Sequence, residues 1–255
     1  MPKVPINKLT REPYAMIICY PTTRKAELTR RLRQLRGLGI TALEFTGPKQ
    51  IHNLNVQGKG CVGIVTTAYR KKEKVALKIR RTDADRKTML REARLLKKAN
   101  QTNIGPTLLD ASKNFLIMQF IDGELLPQWL QKTANKTQTE KVFRNMLEQC
   151  WKLDMAGLDH GELSHAPKHI IIDKKNNPVL LDFETASLNR RPSNVTSICQ
   201  YLFISKARPE HTYRLNQTDE ETLIRSLRNY KKNKTQENYV KILESCGLLS
   251  NVTLR

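Results

Sequence analysis

The chain has 255 residues, a length that suits one large domain or two modest ones, and its 39% apolar content can supply a core, which excludes general disorder. It holds no run of eighteen apolar residues, so no membrane span is expected, and its first twenty residues lack the apolar region and small-residue cleavage site of a secretion signal. The formal net charge is +21, and residues 24–101 carry 21 Lys and Arg against 6 Asp and Glu; an excess of this size points to a polyanionic partner, RNA or DNA first.

The first predicted element is a helix over RKAELTRRLRQLR, residues 24–36, with Leu28, Leu32 and Leu35 at helical spacing. Six basic residues (Arg24, Lys25, Arg30, Arg31, Arg33 and Arg36) are assigned to its outer face, which either meets a polyanion or leaves the helix simply packed on its neighbour. Gly37 and Gly39 stop it. ITALEF (40–45) and IHNLNV (51–56) read as two short strands around the turn TGPK. CVGIVTTAY and KVALKIRR follow, both β-branched and alternating, joined by the polar turn RKKE, which predicts an antiparallel sheet. A helix is expected over about 84–99, with Met89, Ala93 and Leu96 on one face.

TLLDASKNFLIMQFIDG reads as a strand, a turn and a buried strand, and ELLPQWLQK as a short helix. A longer helix is expected from a capping box of Thr137 and Glu140 to Gly157. HIIID and PVLLDFE are short apolar strands separated by KKNN, a hairpin, and the remainder from about 193 is mainly helical. Strands to about residue 121 and helices afterwards describe a two-part α+β layout. The five cysteines (Cys19, Cys61, Cys150, Cys199 and Cys246) are isolated, odd in number and without C-x-x-C spacing, so reduced thiols in a cytoplasmic protein are expected.

The chemistry is concentrated around GKGCVG, residues 58–63, a G-x-G-x-x-G run. In a dinucleotide-binding turn, such glycines open a helix and an acidic residue follows about twenty positions on. Here strand sequence follows and the twentieth position is Lys78. No G-K-[ST] is present either, which removes the other common phosphate loop. A glycine loop between antiparallel strands, with a lysine on the next strand, is a different clamp. Glycines let backbone approach phosphates, Lys78 can neutralise phosphate charge, and Glu92 is the candidate carboxylate that holds it.

That order resembles the protein-kinase signature, with Gly58, Gly60, Gly63 and Val65 in G-x-G-x-x-G-x-V and Val75-Ala76-Leu77-Lys78 in V-A-x-K. HGELSHAPKHIIID occupies the place of the catalytic loop, and Asp182-Phe183-Glu184 that of D-F-G. The chain resembles most the small atypical kinases of the RIO and Bud32 group and the related predicted serine/threonine kinases of archaea and bacteria, over about residues 51–205. The resemblance implies a two-lobed kinase-like fold: a basic N-terminal extension (1–50), an antiparallel N-lobe (51–121) and a small helical C-lobe (122–255) lacking a full activation segment. It implies ATP and Mg2+ or Mn2+ as cofactors. Besides the glycines, Val65, Ala76, Lys78, Glu92, the gatekeeper Met118 and backbone groups of Gln119 and Ile121 would meet the nucleotide. Lys78, Asp182 and Glu162 would be catalytic.

Three departures accompany it. Glu162 stands where the pattern has aspartate, two extra residues lengthen the loop and His169 replaces its asparagine, and Glu184 replaces the last glycine. Glutamate can accept a proton as aspartate does, and histidine can join Asp182 as a metal ligand. The resemblance therefore implies an ATP-dependent serine/threonine protein kinase or ATPase, acting on itself or a protein substrate within or beside an RNA–protein assembly. The alternatives are an inactive kinase scaffold that binds nucleic acid, and a small-molecule phosphotransferase.

Overall fold

Seven strands of the first half assemble into one antiparallel sheet in the computed structural model, which describes residues 3–133, 135–205 and 219–249, and two more form a separate hairpin. The strands are β1 (Val4–Pro5), β2 (Ile40–Glu44), β3 (Lys49–Ile51), β4 (Leu54–Val56), β5 (Gly58–Lys59), β6 (Gly63–Arg70), β7 (Glu73–Arg80), β8 (Leu108–Ala111) and β9 (Phe115–Gln119). The sheet order is β1-β2-β6-β7-β9-β8, with β5 beside β6, while β3 and β4 form a separate hairpin. The polar turn between β6 and β7 works as expected: Lys71 and Lys72 both take positive φ, 47° and 72°, and the two strands pair without a slip from Gly63 opposite Arg80 to Arg70 opposite Glu73.

Two strand expectations are corrected. TGPK does not join a hairpin: β2 pairs with β6 on one side and β1 on the other. Residues 51–56 are not one strand either. His52 takes φ 49° and turns the chain between β3 and β4. Ile51 and Leu54 are both buried yet three apart, an odd step that a strand of period two cannot accommodate without a turn.

The described residues divide into two compact units, one holding positions up to 97 together with 106–121, the other 98–105 and the positions from 122 onward. In the first unit the pleat separates two faces. Ile64, Val75, Leu77, Ile79, Phe115 and Ile117 point to one, where they share a core with Leu28, Leu32 and Leu35 of α2 (Lys25–Gly37) and Ile17 and Ile18 of α1 (Tyr14–Ile18). Full burial of each such side chain contributes about 1.5–3 kcal/mol. The stretch expected as an extension thus supplies β1, β2 and both helices to the same sheet and core.

Arg31 requires a further correction. It is fully buried, not on the outer face of α2. Its Nη1 donates to the carbonyls of Ile18 at 2.8 Å and Arg80 at 2.6 Å, and its Nε to Glu27 at 2.8 Å. It ties α2 to the end of β7. Arg24, Lys25, Arg30, Arg33 and Arg36 are exposed.

The other sheet face carries Ala76, Lys78, Leu116 and Met118, and packs on α3 (Leu90–Asn100) through Met89 and Ala93. The helix begins six residues later than expected. The Met89 N–H is donated to the Lys113 carbonyl at 3.0 Å and Thr88 Oγ1 accepts from the Leu90 N–H at 3.2 Å, so the helical ladder opens only at the Met89 carbonyl, which accepts from the Ala93 N–H at 3.0 Å.

In the second unit, β10 (Gly123–Leu125), β11 (Ile170–Asp173) and β12 (Pro178–Leu180) form a small antiparallel sheet that contains the expected hairpin. The short helix α4 runs Leu126–Lys132, starting two residues later than expected because β10 takes the preceding stretch. The long helix α5 runs Lys136–Met155, and its cap is Asn135, whose side chain accepts from the Gln138 N–H at 3.0 Å; Thr137 lies inside the helix. Next come α6 (Asn194–Cys199), α7 (Glu220–Lys232) and α8 (Gln236–Ser245). Asp154 fastens α5 to two of them: it accepts from the Asn194 N–H at 2.9 Å, its side-chain amide at 2.8 Å and the Tyr230 hydroxyl at 2.9 Å.

Candidate functional site

In the first unit the glycine run lies where β5 turns into β6. Gly60 donates its N–H to the Gly63 carbonyl at 2.9 Å, closing a tight loop over Cys61 and Val62. Gly58 pairs with Val65, Val65 with Lys78 and Lys78 with Leu116, a single row across four strands. A Cβ on Gly63 would lie 3.0 Å from the Ile79 carbonyl and 3.1 Å from Lys78 Cγ. The missing side chain therefore leaves the Lys78 stem its room, and a loop of small residues beside an ammonium is a cradle that suits phosphate.

Lys78 and Glu92 are both buried, and Nζ lies 2.9 Å from Oε1. The order of residues suggested this pairing; the strand β7 and the helix α3 bring it about. Burying both charges is costly on its own, and deleting one partner of such a pair costs about 3–5 kcal/mol. Ala76 stands between Thr67 and Met118 on the same face, and Met118 is half-buried. Gln119 donates its N–H to the Thr107 carbonyl at 2.9 Å, so that group is engaged within the sheet. Ile121 is half-buried just past β9.

In the second unit, His160, Glu162, His169 and Asp182 come together. Gly161 takes φ +90°, and a Cβ there would meet Thr185 Oγ1 at 3.0 Å, which explains a glycine between His160 and Glu162. His160 is fully buried, its ring 4.9 Å from that of Phe183. Its backbone N–H donates to Asn194 Oδ1 at 2.8 Å, and its Nε2 lies 2.9 Å from the Leu181 carbonyl. A carbonyl only accepts, so Nε2 carries the proton. Burial, opposed in part by that bond, pushes the imidazole down to about 4, and His160 is neutral at ordinary pH. It therefore serves as a peg that fixes the residue before Asp182. Asp182 itself takes φ 66°, ψ 73°, a left-handed conformation that aspartate tolerates better than most residues.

A two-turn 3-10 helix, Leu163–Lys168, carries the chain from Glu162 to His169. His169 is buried, with Nε2 2.8 Å from Glu162 Oε2 and Nδ1 3.7 Å from Asp182 Oδ2. A carboxylate oxygen accepts, so Nε2–H donates to Glu162, and in the neutral ring Nδ1 would then present its lone pair. That nitrogen is buried and has no hydrogen-bond partner. A bare imidazole nitrogen beside a carboxylate is a donor set that fits a divalent ion. The sequence reading missed Asn194, which accepts from the His160 N–H, and the packing of Phe183 on the His160 ring. Their distance along the chain, 34 residues for Asn194, left no local signal.

Residues 65–196, just over half of the chain, match the family described as RIO domain. An uncharacterized protein of Methanocaldococcus jannaschii is 33% identical over 86 residues, which cover 34% of this chain and 72% of that protein.

Proposed function

Because the chain belongs to the RIO domain family of atypical kinases and ATPases, whose membership implies a kinase-like fold, we propose that it is an ATP-dependent serine/threonine protein kinase or ATPase. The observation that carries the reading is the buried Lys78–Glu92 pair beside Gly63. A lysine held by a buried carboxylate, at the edge of a backbone loop, is an arrangement for binding phosphate oxygens.

The roles follow from each residue's chemistry. The loop of Gly58, Gly60 and Gly63, with Val65, covers the nucleotide, while Ala76, Met118, the Gln119 carbonyl and Ile121 take the base. Lys78 binds α/β-phosphate oxygens, and Glu92 holds it in place. Asp182 and His169 hold a divalent ion, which when bound neutralises phosphate charge. Glu162 uses Oε2 for His169 and has a second oxygen with which to orient and deprotonate the acceptor hydroxyl. His160 remains neutral and keeps the backbone before Asp182 fixed.

The acceptor is a protein hydroxyl, on this chain or on another. The exposed Arg24, Lys25, Arg30, Arg33 and Arg36 give α2 a basic outer surface for RNA, consistent with work beside an RNA–protein assembly in the cytoplasm. Among the described residues no helix is long and apolar enough to cross a membrane.

Incubation with labelled ATP and Mg2+ or Mn2+ tests the reading, with autophosphorylation and phosphate release both followed. Lys78→Ala and Asp182→Ala should each lower turnover at least ~100-fold, since each removes charge stabilisation from the transition state. Turnover that survives either change refutes the assignment.

A further inference from the structure

We propose that Glu162 is a positioning residue for a nitrogen–oxygen metal site: through Oε2 it holds the His169 ring so that Nδ1, together with Asp182, is presented to one divalent transition ion, with Mn2+ the best match. The inference deepens the phosphotransfer reading and rests on it.

Three observations carry the assignment. His169 is 8% exposed, so both ring nitrogens need an explanation, and only Nε2 has a hydrogen-bond partner, at 2.8 Å. The second nitrogen faces Asp182 Oδ2 at 3.7 Å, too far for a hydrogen bond. Two ligands of one small divalent ion, each bonded at about 2.1 Å, stand roughly 3–3.5 Å apart, so a slight closure brings both atoms onto one ion. Finally, a histidine that ligates a metal almost always donates its other N–H to a carboxylate, which fixes the tautomer and makes the ligating nitrogen more basic. Glu162 supplies that carboxylate.

The two departures from the kinase loop then explain each other. An asparagine ligand offers an oxygen, which suits Mg2+. Histidine at 169 offers nitrogen, which favours Mn2+, Co2+ or Zn2+ over Mg2+, and of these Mn2+ keeps the oxygen affinity that phosphate chemistry needs. The ring also demands an orienting acceptor, and Glu162, one methylene longer than aspartate, reaches it. His160 carries its proton on the same ring nitrogen but is wholly enclosed against Phe183, so of these two histidines it is His169 whose free nitrogen faces Asp182.

The test uses the full chain and Mn2+ alone, with binding followed by electron paramagnetic resonance and the ligand sphere by pulsed detection of nitrogen-14 coupling. The expected result is one tightly bound Mn2+ with a histidine nitrogen coupling. His169→Asn should abolish the coupling and shift competition toward Mg2+. Glu162→Ala should lower Mn2+ affinity about 10–100-fold, whereas Glu162→Gln, whose carbonyl still accepts from Nε2–H, should restore most of it. Bound Mn2+ without nitrogen coupling in the wild type overturns the site, whatever the variants do. Unchanged affinity and coupling in Glu162→Ala overturn the role of Glu162. A fluorescent ATP analogue, titrated with chelator present, separates the two readings. Nucleotide bound with no coupling sinks the metal assignment alone, and coupling with no nucleotide bound sinks the phosphotransfer reading.

Discussion

Arg31→Met isolates the one arginine of α2 that is structural. The methionine replaces the volume of the side chain but none of its donors. The carbonyls of Ile18 and Arg80 lose hydrogen bonds of 2.8 and 2.6 Å from a cation, and Ile18 is fully buried, so water cannot replace the donor there. Glu27 is less affected, since Arg30 lies 3.2 Å from its other oxygen. Asn114 Oδ1 keeps the Arg80 Nε–H at 3.0 Å. Two lost charge-assisted bonds at about 1.5–3 kcal/mol each, partly offset by burying an apolar chain, give an expected loss of about 3–5 kcal/mol. Arg31→Lys should fall between, because one ammonium cannot serve both carbonyls and Glu27 with the fixed fork of a guanidinium. Arg33→Met, exposed on the same helix, should stay within about 0.5 kcal/mol. Urea unfolding followed by circular dichroism reads the difference, with the fluorescence of Trp129 and Trp151, both in the second unit, recorded alongside. If Arg31→Met and Arg33→Met agree within about 1 kcal/mol, the account of Arg31 as a buried tie is wrong.

Gly63→Ala should leave the fold intact and lower ATP affinity at least several-fold, measured by nucleotide titration, because the new methyl crowds Lys78 Cγ and the Ile79 carbonyl. Glu92→Ala should reduce turnover less than Lys78→Ala does, since it misplaces the ammonium but keeps it; equal losses would argue that Glu92 itself touches the reacting groups. His160 gives a pH signature. Its folded value, about 4, lies below the ordinary 6.5, so below pH 6.5 the unfolded chain takes up a proton that the folded chain refuses. Stability is therefore full above 6.5 and falls toward pH 4 at about 1.4 kcal/mol per unit, a slope that His160→Phe should remove from the denaturation profile. RNA affinity should weaken steeply with salt, and reversing Arg30, Arg33 and Arg36 together should flatten the log–log slope, by roughly 0.7–0.9 per lost phosphate contact; binding indifferent to salt would end that idea.

The sequence by itself determined the local structure and the order of the chemistry. Alternation in residues 63–80 set the β6–β7 hairpin, and the strand sequence that follows Gly63 ruled out a helix after the glycines. Those are short-range consequences of backbone periodicity and turn chemistry, so they can be read locally. Even two of the corrections had a local trace. Ile51 and Leu54 break period two, and Arg31 falls on the α2 arc beside Leu28, Leu32 and Leu35, where a helical projection places it with the buried stripe. What only the tertiary structure decided was which charge meets which. Arg31 is buried because carbonyls 13 and 49 residues away converge on it. His169 has its tautomer fixed because a 3-10 turn folds Glu162 back onto it, and His160 is neutral because Phe183, Leu181 and Asn194 enclose it. Protonation state and ligand geometry depend on burial and on partners distant in the chain, and a linear pattern carries neither.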